Sequence, residues 1–404
     1  MTTAVNPETV TASAAGLRAR AAEVFEKLGW PTTRVEEWRY TNLAPLQKID
    51  WRTDDAPERI DSPATMIGRA ALELIFVNGR LVDRNGDLQV RVAEEAGIAD
   101  WERNAMVALN TANMQDGARI EIPAGTVVDG FIHLLFIGQG DAIWSHPRNV
   151  IVAGSNSQVA VVETYVGSGS YFTNAVTEIV ARDGAVVDHY KLECESTSAY
   201  HVANIYIQQE RASSVTSRSI AIGGALARTE TNVALAGEGA SISLDGLFAG
   251  TGAQHLDNRT VIDHIAPRCE SLELYKGVLD QQARGVFDGR IIVRPNAQKT
   301  VSRQENRNLL LSETAVVDSK PTLEIHNDDV KCNHGSTIGQ LDREALFYLQ
   351  SRGIDEEEAR NLLVFAFAGE IVDRMKLEPV REQIRRALFQ VLPDRMPERR
   401  GSSR

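Results

Sequence analysis

The sequence predicts a mainly β protein whose strand-rich centre is framed by helical ends, and three observations carry that reading. Between about Val128 and Leu323 helical periodicity disappears, and short runs of Val, Ile, Leu and Tyr alternate with Gly, Asp, Asn and Ser. Within this stretch a small or polar residue precedes an apolar one at Gln158-Val159, Ala185-Val186, Ser214-Val215, Ser241-Ile242 and Ser271-Leu272, so the apolar positions recur at spacings of 27, 29, 27 and 30. On either side the apolar period is helical. A loose repeat near 28 residues predicts stacked β-coils, each leaving its strand edges unpaired until a neighbour arrives, with Gly or Asn at the corners. A β-sandwich also spaces its strands with turn signals, and periodicity leaves both architectures open.

Taken in order, Leu17, Ala21, Val24, Phe25 and Leu28 lie three and four residues apart, which predicts an amphipathic helix over about Thr11 to Leu28, ended by Gly29 and Pro31. Arg34 to Leu43 follows, with Trp38 and Tyr40 read as packing anchors rather than ligand contacts. Leu74 to Val82 predicts a hairpin turned at Asn78-Gly79. After Gly339 the period becomes helical again. Asp342 caps one helix, and Asp355 with Glu358 opens a second that contains the all-round apolar run Leu362 to Ala368. A third covers about Glu378 to Leu392. The expected organisation is an N-terminal helical or mixed domain over 1–127, a β core over 128–340 and a C-terminal helical domain over 341–404.

Composition narrows the function. The chain has 404 residues, 43% of them hydrophobic and 24% charged, with no transmembrane-length apolar run; it can bury a large core and is not disorder-like. A formal net charge of -12 repels a phosphate backbone, so neither nucleic acid nor a membrane is an expected partner. The arginines at 395, 399, 400 and 404 read as a solvated tail. Met1 to Ala15 shows no secretory signal, and the three distant cysteines (Cys194, Cys269, Cys332) form no disulfide pattern, so the expected location is cytoplasmic.

The sequence contains no phosphate loop, no dinucleotide fingerprint, no nucleophile elbow and no H-E-x-x-H, which counts against a self-sufficient enzyme. One compact set of soft ligands stands in Asp328-Asp-Val-Lys-Cys-Asn-His-Gly335. In an extended segment residues two apart share a face, so Cys332 and His334 can present thiol and imidazole from one side of the chain. A buried structural cysteine beside a hydrogen-bonded histidine fits the same residues. His255 and His264, flanking Leu256 to Asp263 along an expected strand and its turn, read as satisfied by local hydrogen bonds to Asp and Asn rather than by a metal. No four-ligand cage is available locally, so a metal or cluster would need ligands from elsewhere. A polysaccharide-acting β-helix enzyme is the competing reading, but Asp328-Asp329 is no carboxylate pair with a water-sized gap.

An ordered series of segments then supplies a resemblance. Asp257 to His264, Glu273-Leu-Tyr-Lys-Gly-Val-Leu279, Gly285-Val-Phe-Asp-Gly289, Arg294 to Lys299, Asn306 to Leu311, Asp318 to His326, Asp328 to Gly335 and Leu346 to Ile354 together closely resemble the SufB/SufD family. Arg34 to Leu43 resembles that family's N-terminal segment. Asp318-Ser-Lys-Pro followed by Val330-Lys-Cys-Asn-His-Gly335, with Val316-Val317 and no cysteine just before Asp318, is closer to the SufD branch than to the SufB branch.

The resemblance implies a right-handed parallel β-helix between helical ends, serving as a non-catalytic scaffold subunit of a SufBCD complex for iron–sulfur cluster assembly. It implies a SufB-like partner on the β core and a SufC-like ATPase on the C-terminal helices, which accounts for the missing phosphate loop. Cys332 and His334 match the family's functional Cys and His near the subunit interface, as candidate ligands of a transient cluster shared with the partner. A bound flavin is compatible with the family, although no motif here indicates one. The partner-binding edge would also pair two isolated copies.

Overall fold

Successive strands of this chain leave one sheet, turn a corner and join the other, so that each circuit adds one rung to both. The computed structural model describes residues 14–54, 70–86, 90–92 and 97–391. One sheet stacks Gln158–Ser168, Val186–Cys194, Ser214–Ala221, Ser241–Gly250, Glu270–Leu279, Val301–Leu310 and Lys331–Gly339. The facing sheet stacks Arg148–Ala153, Tyr171–Ala181, Tyr200–Gln209, Leu226–Leu235, His255–His264, Arg284–Val293 and Val316–Ile325. All these neighbours pair in parallel. The fold is a parallel β-solenoid, and the sandwich alternative falls: a sandwich would pair its strands antiparallel.

The register corrects the repeat by one residue in two places. Val159, Val187, Val215, Ile242, Ser271, Ser302 and Cys332 occupy successive rungs of one ladder, at spacings of 28, 28, 27, 29, 31 and 30. Val187 and Ser271 therefore take the inward positions expected for Val186 and Leu272. Because side chains alternate across a strand, that slip moves Leu272 outside, where it is 44% exposed, while Ser271 is fully buried. The corners also differ from expectation. The residue with positive φ at one corner is Asn156, Gly184, Ala212, Gly239, Arg268 and Lys299 in turn. Three of these are neither Gly nor Asn and carry a cost of about 1–2 kcal/mol each, which is why the turn signals in the sequence are irregular.

Inside, Val159, Val187, Val215 and Ile242 pack against Ile179, Ile207, Val233 and Ile262 of the facing sheet. Each such side chain contributes roughly 1.5–3 kcal/mol by leaving water. The sheets extend upstream of residue 128. Leu72–Val77 pairs in parallel with Ile132–Gln139 and antiparallel with Arg80–Gly86, through the expected turn at Asn78 (φ 48) and Gly79 (φ 82). On the facing sheet Ala118–Ile122 pairs with Arg148–Ala153.

The helices cover the outer faces. Ala14–Leu28 ends at Gly29, whose φ of 67 only glycine adopts freely and whose N–H donates to Phe25 O at 2.7 Å. Trp38 is buried 4.1 Å from the guanidinium of Arg228, itself buried, paired with Asp257 and Glu230, and donating to Glu37 O. Trp38 is thus a packing anchor, as its sequence context suggests. Asp342 and Asp355 cap Arg343–Ser351 and Glu356–Asp373 as expected, accepting from Glu344 and Ala345 N–H and from Glu358 N–H. Glu356–Asp373 and Glu378–Val391 lie against the outer face formed by Tyr190, Leu192, Ile220, Leu247 and Leu274. The longer helix buries Val364, Ala368, Ile371 and Val372 on one side and leaves Leu362, Phe365 and Phe367 half-buried, so its apolar run is satisfied on one face. The residues after 391 lie outside the described part, and the arginine tail with them.

Candidate functional site

Lys331–Gly339 is the last strand of its sheet and Val316–Ile325 the last of the facing one; each is paired along one edge. Cys332 and His334 stand on the former, an extended segment as expected. They are in register with buried Ser302 and Gln304, and so on the lumen side of the strand, about 7 Å apart along it. No coil follows. Cys332 is consequently half-buried, and exposed His334 alone of the two lines an open groove of about 420 Å³, with Arg303, Glu305, Arg307, Asn333 and Thr337. Both arginines pair with Glu305, and Arg307 also reaches Glu370 of the long C-terminal helix.

Behind each candidate ligand runs a buried polar chain. Under Cys332, Ser302 Oγ lies 2.7 Å from Ser271 Oγ, which lies 2.9 Å from His264 Nε2. Under His334, Gln304 Nε2 donates to Glu273 Oε2 at 2.7 Å. The next inward pair, Asn306 and Ser336, is tied to the facing sheet by Ser319, which donates to Asn306 Oδ1 at 2.7 Å and lies 2.8 Å from Ser336 Oγ. Burial pushes the Cys332 thiol up, opposed by the Ser302 backbone, so the free chain holds it protonated. Burial lowers His264 to about 4 and keeps it neutral, and burial raises Glu273 to about 7 against hydrogen bonds from Thr260 and Gln304.

The other sequence candidates are elsewhere. His255 Nε2 lies 2.8 Å from Thr41 Oγ1, and His264 faces Ser271 rather than an Asp or Asn. Cys269 is buried and donates to Gly237 O at 3.3 Å; Cys194 is on the outer face under the C-terminal helices, with burial pushing its thiol up. Among the described residues no three His, Cys, Asp or Glu side chains gather as a metal set. Asp329 is engaged by Lys299 at 2.7 Å, not paired with a second acid. No helix among the described residues is long and apolar enough to cross a membrane.

Sequence reasoning missed Glu273, Gln304 and the Ser302–Ser271–His264 chain. The signal was present in the repeat: three apolar rungs and Ile242 give way to Ser271, Ser302 and Cys332, but the slip to Leu272 hid it.

A second polar cluster lies mid-solenoid, also unanticipated. Lys191 sits 5.3 Å from the Tyr165 ring centroid with Glu193, Glu195 and His201 beside it, all buried, and His201 Nδ1 lies 2.7 Å from Glu195 Oε2.

Comparison with known proteins bears on this arrangement directly. The family described as SUF system FeS cluster assembly, SufBD core domain, matches residues 136–367, and the SufBD N-terminal region matches 5–66. An iron–sulfur cluster assembly SufBD family protein of Synechocystis is 32% identical, with 92% of this chain and 89% of that protein covered. The iron–sulfur cluster assembly protein SufD of Escherichia coli is 30% identical over 91% and 90%, and SufD of Bacillus subtilis 27% over 91% and 91%. With a solenoid and helical ends that the core match spans from first coils to long C-terminal helix, the chain belongs to the SufBD family of the SUF iron–sulfur cluster assembly system.

Proposed function

We propose that this chain is a non-catalytic, cytoplasmic scaffold subunit of a SufBCD-type complex, which holds part of a nascent iron–sulfur cluster at its seam with a SufB-like subunit. The observation that carries this reading is the placement of Cys332 and His334 on the lumen side of a terminal strand whose outer edge is unpaired. An unpaired edge with Ile338 53% exposed is a template for another chain. Neutral imidazole is an adequate iron ligand and thiolate a better one, and Cys332 gives up its proton on binding the cluster, which is the complex's cargo. The partner supplies the remaining ligands.

The C-terminal helices are proposed to dock a SufC-like ATPase. Phe347 is 71% exposed, and the Arg352 guanidinium lies 5.2 Å from the ring centroid of exposed Tyr348; exposed aromatic and arginine side chains are the usual anchors of interfaces. ATP belongs to that partner, whose closure would twist the paired solenoids and open the seam. Isolated, two copies of this chain would pair through the same edge.

The test is His334→Ala in the co-expressed complex. A ligand role predicts normal assembly on size exclusion with reduced iron and sulfide; unchanged cluster yield would leave the chain a packing adaptor only.

A further inference from the structure

The lumen behind His334 contains an acceptor with nothing to accept. Gln304 is fully buried, its Nε2 is committed to Glu273, and its Oε1 has no hydrogen-bond partner among the described residues. A sealed amide oxygen left unpaired is costly, so its retention calls for a donor. With Glu273 ionised, the reverse orientation would set the amide oxygen against a carboxylate oxygen, which holds the amide as placed. The side chain in register with Gln304 on the next and last rung, on the same face and about 4.8 Å along the stack, is His334.

We propose that Gln304 is the positioning residue of His334: Glu273 anchors its amide, and its Oε1 accepts the imidazole N–H from behind. The other ring nitrogen then presents its lone pair to the open end of the solenoid, in the one tautomer that can bind iron there. This rests on the reading of His334 as a cluster ligand. The same ladder carries one earlier buried polar pair, His189 and Ser217 at 2.9 Å, between apolar Val161 and Leu244.

The test uses the full chain labelled with ¹⁵N-histidine, and reads the His334 tautomer from its two ring nitrogen shifts at neutral pH. The expected wild-type result is one tautomer. Gln304→Leu should bring the mixture of a solvent-exposed imidazole, and Gln304→Glu, which shares a proton with Glu273 and keeps an oxygen facing the ring, should restore the single form. If Gln304→Leu fails to fold by circular dichroism, Glu273→Met removes the acceptor at similar volume and should show the same loss. In the co-expressed complex, Gln304→Leu should lower iron retention about 10-fold without changing assembly. A wild-type His334 that is already a mixture, or that ignores both substitutions, overturns the proposal whatever the iron yield. If the tautomer responds but His334→Ala retains iron, the positioning stands and the ligand reading fails.

Discussion

The two ends of the solenoid are finished differently. At the N-terminal end the sheet turns back on itself through Asn78-Gly79, and Arg80–Gly86 ends it as an antiparallel strand with half-buried Arg80 and Asp83 and exposed Arg84. At the C-terminal end the last two strands run parallel to their neighbours and stop, with Val316, Ile325 and Ile338 exposed. The chain does have helices left with which to cap that end. It sends them back along the outer face, where Lys376 reaches Asp188 at 2.9 Å and Arg374 reaches Asp245 at 2.9 Å. One end is finished by a hairpin, and on the proposed reading the other keeps its edge for a partner.

Substitutions should separate these roles, beginning with the largest effect. Near the hairpin end Phe76, Phe136 and Tyr165 stack with centroids 4.7 and 4.8 Å apart. Phe136→Ala should cost about 3–5 kcal/mol in urea unfolding, while protein that remains folded still binds its partner.

The second effect depends on pH. Glu273 binds its proton more tightly folded than unfolded, so its contribution is intact below about 4.5 and is lost as pH rises to about 7. Glu195, also raised to about 7 by burial, adds a fall of the same sign in mid-solenoid. Glu273→Gln should therefore flatten part of the decline between pH 5 and 8, stabilising the chain at pH 8 on the order of a few kcal/mol and changing little at pH 4. Thermal unfolding across that range reads it, and an unaltered slope would place Glu273 outside the titrating set.

At the open end, Ile338→Asp should weaken association with a SufB-like subunit by about 10- to 100-fold, roughly 1.4–2.8 kcal/mol, and leave the chain's own stability within about 0.5 kcal/mol. Binding measured by calorimetry or sedimentation gives the first figure and urea unfolding the second. The smallest effect is expected for Leu272→Ser, within about 0.5 kcal/mol, because the register puts Leu272 on the surface; a loss of core size would return it to the lumen.

That last residue marks how far the fold was legible. Coil length, helical ends, the Asn78-Gly79 turn and both aspartate caps were readable because each depends on local spacing or local chemistry. The side of each strand was not, since a one-residue slip at Ser271-Leu272 reverses it and only pairing with Ile242 and Ser302 fixes it. Cys332 and His334 were legible as a pair on one face of an extended segment. Their supports were not, because Glu273 and Gln304 lie 61 and 30 residues upstream of His334 and meet it only through coil stacking. The corners at Ala212, Arg268 and Lys299 were hidden for a related reason: stacked hydrogen bonds hold them in a conformation their side chains do not favour.

The measurement that tests the account most directly is anaerobic reconstitution of the chain alone and co-expressed with SufB-like and SufC-like partners, following iron, sulfide and visible absorbance. The account predicts a cluster only in the complex. A stable cluster on the isolated chain would contradict it, since Cys332 and His334 would then not depend on ligands from across an interface.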